Sequence, residues 1–247
     1  MDRPNRNSLI PAESLSGLAV SPASSLLRHT LADRPPAEAL QVYVNRTLRM
    51  ERIRYIGFDL DWTLADYDEE ELSALAFRLL LERLVESFGY PREIYRAEFR
   101  PRFARRGLMI DTEVGAVLKM NRHRYVGRAY HGREFLGAGE RAKHYRLDPL
   151  QPASERFYFV DTLFELPEVH LFTELVELKK KGLQLPSYRR LFDDGRAAID
   201  SIHADGTLKT QILADLPRYL PRDPGLLLAL HRLALDGRKL LLITNSE

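Results

Sequence analysis

Two aspartates two positions apart, Asp59 and Asp61, follow a short apolar stretch and precede Thr63. One carboxylate can attack phosphorus and carry the phosphoryl group as an acyl phosphate. A second carboxyl group can protonate the leaving alkoxide and then deprotonate water. Magnesium takes oxygen ligands and would neutralise charge between a phosphate and Asp59. A second polar cluster, Thr244, Asn245 and Ser246, ends a later apolar stretch. A hydroxyl with adjacent backbone N–H groups at a strand end suits phosphate oxygens. A bare D-x-D is common, and its bland reading is a turn with two solvated aspartates. The setting favours phosphate chemistry: apolar strand, D-x-D-x-T-L, amphipathic helix, then a later strand ending in Thr-Asn-Ser.

The elements that must hold these residues are readable from periodicity. Residues 53–60 form a short, nearly continuous apolar run, as expected of a parallel strand covered on both faces. Leu72, Leu75, Leu79, Leu80, Leu84 and Phe88 recur at helical spacing, with Gly89 and Pro91 as the stop. Further helices are expected over 169–181, 188–203 and 226–236, and a second buried strand over 239–244. Glycine-rich residues 103–146 hold short strand-like runs at 108–112 and 125–130 and read as an inserted β-rich cap. Strand, site loop and helix in that order give an α/β fold with a parallel sheet core, and ligands in such sheets bind beyond the carboxyl ends of the strands. The division expected is a disordered N-terminal arm at 1–40, core at 41–102, cap and substrate-recognition region at 103–215, and core again at 216–247.

Composition narrows the partners. The 37 basic and 35 acidic side chains nearly cancel to a net charge of +2, giving no global attraction for nucleic acid or a membrane surface. There is no cysteine, which removes disulfides and thiolate metal sites and fits a reducing, cytoplasmic setting. No apolar run reaches the roughly 18 residues of a spanning helix. On the expected helix 188–203, Arg196, Asp200 and His203 are spaced i, i+4 and i+7 and share one face, with Lys209 beyond the Gly206 turn. Spacing alone favours an ordinary salt-bridged surface there. Arg100, Arg102, Arg105 and Arg106 read as a solvated basic surface, with a regulatory nucleotide as the alternative.

Asp59-Leu60-Asp61-Trp62-Thr63-Leu64 resembles the first motif of the haloacid dehalogenase-like (HAD-like) phosphohydrolases, and Thr244-Asn245-Ser246 resembles their second. The segments 44–48, 57–61, 106–108, 155–158, 162–164 and 166–168 extend the resemblance to the cytosolic purine (IMP/GMP-type) 5′-nucleotidases, from about residue 42 onward. The resemblance implies a HAD-like Rossmannoid sheet with an inserted α+β cap, and a Mg²⁺-dependent enzyme acting on purine nucleoside 5′-monophosphates. It implies that Asp59 is nucleophile and metal ligand, and that Asp61 is general acid/base with its main-chain carbonyl on the metal. Thr244, Asn245 and Ser246 would bind phosphate. Phe164 matches the aromatic that stacks on the base, and Arg196, Asp200, His203 and Lys209 match substrate-recognition positions. Glu165 stands where the animal enzymes have Asn, which bears on base preference. Homo-oligomers and nucleotide effectors are common in this branch.

The family's lysine and later acidic motif have no counterpart after Ser246, where only Glu247 follows. That points to a truncated chain whose apolar residues 240–243 are exposed. It also keeps a second reading open, a non-catalytic nucleotide-binding or oligomerisation module.

Overall fold

The loop bearing Asp59 leaves a four-residue strand, β1 (Tyr55–Phe58). The computed structural model describes residues 49–145, 150 and 154–244. The arm expected at 1–40, Asn245 and Ser246 lie outside the described residues. The chain divides into two units, Met1–Arg52 and Ile53–Glu247. Of the first, a single 3₁₀ turn (Met50–Arg52) is described.

In the second unit the elements run as follows. β1 leads through the site loop to helix α1 (Glu69–Phe88). Strands β2 (Leu108–Asp111), β3 (Ala116–Met120), β4 (Val126–His131) and β5 (Glu134–Phe135) come next, then helix α2 (Ala138–Tyr145) and strand β6 (Phe157–Phe159). Helices α3 (Leu166–Lys180), α4 (Tyr188–Ala204), α5 (Thr207–Ala214), α6 (Leu216–Tyr219) and α7 (Pro224–Leu235) precede strand β7 (Lys239–Leu242). The architecture is mixed α/β, with one parallel and one antiparallel sheet. β1 and β7 form a parallel pair with Phe58 opposite Leu242, and β5-β4-β3-β2-β6 form an antiparallel sheet.

Helix boundaries follow their caps. α1 starts three residues before its apolar repeat, because Asp68 accepts from the Glu71 N–H at 3.0 Å and three glutamates occupy the first turn. It ends at Gly89 (φ 72°), with the Tyr90 N–H returned to the Leu84 carbonyl at 3.1 Å. Asp223 caps α7 in the same way, accepting from the N–H groups of Gly225 and Leu226. Ser187 caps α4 through the Arg190 N–H.

The main core joins α1, α3 and α4 through fully buried Leu80, Leu84, Leu175, Leu191 and Ile202. Each such side chain contributes roughly 1.5–3 kcal/mol of burial free energy. A smaller core of Met109, Ala116, Leu118, Ala129, Leu136 and Tyr145 lies under the antiparallel sheet.

One sequence expectation is corrected. The two parallel strands are not covered on both faces by the described residues: Tyr55 is 67% exposed, Leu242 58% and Ile243 63%. Their apolar composition satisfies the parallel-strand pattern without the burial that usually accompanies it. Gly57 has its role here, because the Ile243 side chain occupies the space a Cβ would need.

Candidate active site

β1 ends at Phe58, and the chain folds back on itself at once. The Leu60 carbonyl accepts from the N–H groups of Leu64 (2.9 Å) and Ala65 (2.8 Å), and the Trp62 N–H reaches the Ala65 carbonyl at 2.9 Å. This tight return places Trp62 at φ 59°, left-handed backbone that a bulky side chain rarely adopts. It also separates the two carboxylates by environment. Asp59 is exposed, and its Oδ1 accepts from the Leu60 N–H at 2.8 Å. Asp61 is half-buried, and its Oδ1 accepts from the Tyr67 hydroxyl at 2.8 Å. Burial, then the neighbouring Asp61 carboxylate, pushes the Tyr67 hydroxyl up to about 12, so it remains a donor at neutral pH.

The parallel ladder continues past the strands, with the Ile243 N–H on the Phe58 carbonyl at 2.8 Å. The carboxyl ends of β1 and β7 therefore lie side by side, and exposed Thr244 follows at the same end as Asp59.

Three aromatic rings wall the loop. Trp62 meets Tyr67 at 5.3 Å and Phe164 at 5.9 Å between centroids, and Tyr67 meets Phe164 at 6.1 Å. Trp62, Phe164, Leu163, Ser73 and His203 line a narrow crevice of about 10 Å³. The Trp62 Nε1 is buried without a hydrogen-bond partner. His203 binds the Ile199 carbonyl through Nδ1 at 2.8 Å, which leaves Nε2 available.

A polar cluster begins where the aromatic one ends. Phe164 sits in a short 3₁₀ turn (Leu163–Glu165). Glu165 turns back, and its Oε2 accepts from the N–H groups of Asp161 (2.7 Å) and Thr162 (3.0 Å). Its Oε1 accepts a hydrogen bond from the Tyr158 hydroxyl. Tyr158 in turn accepts from Arg196 Nη1 at 2.9 Å. The same nitrogen reaches both Glu168 oxygens, at 3.0 and 3.1 Å. Glu168 is only 6% exposed, and burial pushes its carboxyl up to about 8 despite the Arg196 guanidinium.

The structure thus gathers Trp62, Phe164 and His203 around one crevice, ties Asp61 to the aromatic wall through Tyr67, and joins Glu165 to Arg196 through Tyr158. Asp200 and Lys209 are exposed on α4 and α5. Arg196 is engaged with Glu168, and Glu165 serves the turn. Sequence reading did not single out Tyr67, which lies outside any helical repeat. It named Tyr158 and Glu168 only within motif segments, although an acid in the first turn of so apolar a helix is itself a signal. Elsewhere, Arg100 pairs with Glu98 at 3.4 Å, and Arg102, Arg105 and Arg106 are exposed. His131 binds the Tyr188 hydroxyl at 3.0 Å and ties β4 to α4.

Among the described residues, no cluster of three or more His, Asp or Glu side chains would hold a metal ion. Asp59 and Asp61 still offer hard oxygen donors. That set fits Mg²⁺, which binds through one or two carboxylates and completes its shell with water and substrate phosphate. Among the described residues, no helix is long and apolar enough to cross a membrane.

A sequence profile of the 5′ nucleotidase family matches residues 42–247, from before β1 to beyond β7. The chain belongs to the 5′ nucleotidase family. A 5′-nucleotidase domain-containing protein of Dictyostelium discoideum is 30% identical over 228 residues, covering 88% of this chain and 37% of that protein. The human 5′-nucleotidase domain-containing protein 2 is 28% identical over 216 residues, covering 83% of this chain and 41% of its own length. The chain therefore spans well under half the length of these family relatives. The family match takes in the Asp59 loop, the Phe164 turn and the Arg196 helix together.

Proposed function

We propose that this chain carries a HAD-like 5′-nucleotidase site that hydrolyses purine nucleoside 5′-monophosphates through a phosphorylated Asp59. The observation that carries the reading is the unequal pair of carboxylates. Asp59 is exposed at the carboxyl end of a parallel strand, and Asp61 is half-buried and held by Tyr67, in a chain of this family. An Asp59 oxygen attacks the phosphorus, the P–O5′ bond breaks, and the Asp61 carboxyl gives its proton to the departing O5′. Water then attacks the acyl phosphate, Asp61 takes the water proton, and phosphate leaves with Asp59 restored.

Asp59 and the Asp61 main-chain carbonyl would hold Mg²⁺, which supplies neutralisation of the phosphate charge. Thr244, Asn245 and Ser246 bind the phosphate oxygens. Phe164 stacks on the base beside Trp62 and Tyr67, and Asp200, His203 and Lys209 contact the nucleoside. Glu165 acts on base preference indirectly, because both its oxygens are occupied by the turn and by Tyr158. A cytoplasmic setting, which the cysteine-free composition fits, extends the proposal, and self-association and a nucleotide effector extend it on the resemblance.

The test is phosphate release from IMP, GMP and AMP with and without magnesium, using wild type and Asp59→Asn. The expected result is magnesium-dependent release that Asp59→Asn abolishes. Full activity in Asp59→Asn would sink the mechanism. Nucleotide binding without release would favour a non-catalytic module.

A further inference from the structure

We infer that Tyr67 is a positioning residue for the general acid/base, holding the Asp61 carboxyl in line with the leaving oxygen while its ring is braced against the aromatic wall. The inference rests on the nucleotidase reading and deepens it. Asp61 lies in the first turn after β1, where a carboxylate has rotamer freedom that catalysis must remove. Asp61 Oδ1 accepts from the Tyr67 hydroxyl at 2.8 Å, six residues along the chain. That bond contributes to the rotation of the carboxyl and so to the direction in which it offers its proton. Tyr67 cannot swing easily, because its ring is edge-on to Trp62 at 5.3 Å and to Phe164 at 6.1 Å. Phe164 is fixed in turn by the 3₁₀ turn (Leu163–Glu165) that Glu165 closes. The wall proposed to meet the base and the group proposed to protonate O5′ are thus two ends of one packed unit. Trp62, at φ 59°, sits in the same turn with its ring against Tyr67 and Phe164.

Leaving-group dependence separates positioning from plain packing. A nucleoside 5′-alkoxide is a poor leaving group and needs a proton in the transition state. A p-nitrophenolate leaves without one. The ratio kcat/KM reports the first irreversible step, which is phosphoryl transfer to Asp59. Tyr67→Phe keeps the ring and removes only the hydroxyl. It is expected to lower kcat/KM for a nucleoside monophosphate by about tenfold or more, mostly through kcat, and to leave p-nitrophenyl phosphate within about twofold. Trp62 is the only tryptophan, so an unchanged emission maximum verifies that the aromatic wall is intact.

Equal losses on both substrates would make Tyr67 a packing residue, and no loss on either would overturn the proposal alone. A wild-type chain that turns over neither substrate overturns the nucleotidase reading itself, and this inference with it.

Discussion

Glu168 should make the folded state sensitive to pH near neutrality, and Glu168→Gln should remove that sensitivity. Its carboxyl is 6% exposed in the first turn of α3, and desolvation outweighs the attraction of Arg196. Glu165 and Asp200 add to the upward push. The folded pKa of about 8 lies above the unfolded 4.5, so the folded state holds a proton that the unfolded chain releases. The resulting stabilisation is fully present below the unfolded pKa and is lost as pH rises through the folded one. One pKa unit is about 1.4 kcal/mol, so linkage between these two pKa values removes about 2 kcal/mol between about pH 5.5 and pH 7.5. A glutamine side chain in its place would hold the Arg196 hydrogen bond through the amide oxygen without a charge to desolvate. The assay is urea unfolding followed by Trp62 fluorescence at the two pH values. Between them wild type should lose about 2 kcal/mol relative to Glu168→Gln, whose own stability should rise with pH because burial holds the His170 imidazole down to about 4. Parallel pH profiles for the two proteins would refute the claim that Glu168 is buried with this shift.

Two further perturbations test neighbouring parts of the structure. Gly132 has φ 59°, and a Cβ there would sit 3.0 Å from the Glu177 Cα and 3.1 Å from its backbone nitrogen. Gly132→Ala should therefore cost about 1–3 kcal/mol in urea unfolding through strain where β4 meets α3. Phe164→Ala removes the ring that Trp62 and Tyr67 share. It should raise KM for nucleoside monophosphates by about tenfold in steady-state assays and shift Trp62 emission, while p-nitrophenyl phosphate is spared.

Long periodic elements were legible in the sequence. α1, α3, α4 and α7 appear at their expected places; α4 starts at Tyr188 as expected, and the starts of α1, α3 and α7 moved by two or three residues where a cap or Pro decided the boundary. α2, α5 and α6 were not legible, because helices of four to eight residues bury too little to leave a repeat: Tyr145, Leu208 and Tyr219 are their only buried residues. The strand runs at 108–112 and 125–130 were readable as short strand-like runs between turns, whereas β6 is three residues long and takes its place by pairing with β2. At the site, Asp59 and Asp61 announce themselves by type and spacing. Their different surroundings do not, since these come from a turn and from a tyrosine outside any motif. Arg196 was visible as one face of a helix. Its ties to Glu168 and Tyr158 join elements about 28 and 38 residues apart, and no local pattern encodes such pairings.

Glu165, at the position where the resemblance sets an Asn, gains a physical meaning from these ties. An amide there would both donate and accept, and could face a base edge. A carboxylate only accepts, and here it has found three donors: two backbone N–H groups and the Tyr158 hydroxyl. Freeing it toward the crevice would give up those hydrogen bonds, each worth about 0.5–1.5 kcal/mol. The carboxylate is therefore held in the turn, and its influence passes through Tyr158 to Arg196 and through the backbone to Phe164. Base selectivity in this chain should then respond to Tyr158→Phe, which cuts the link between Glu165 and Arg196 while keeping the ring that Arg196 covers at 5.0 Å. A ratio of IMP to AMP turnover that Tyr158→Phe changes and Lys209→Ala does not would locate selectivity in this link. The reverse pattern would place it at the exposed end of α5.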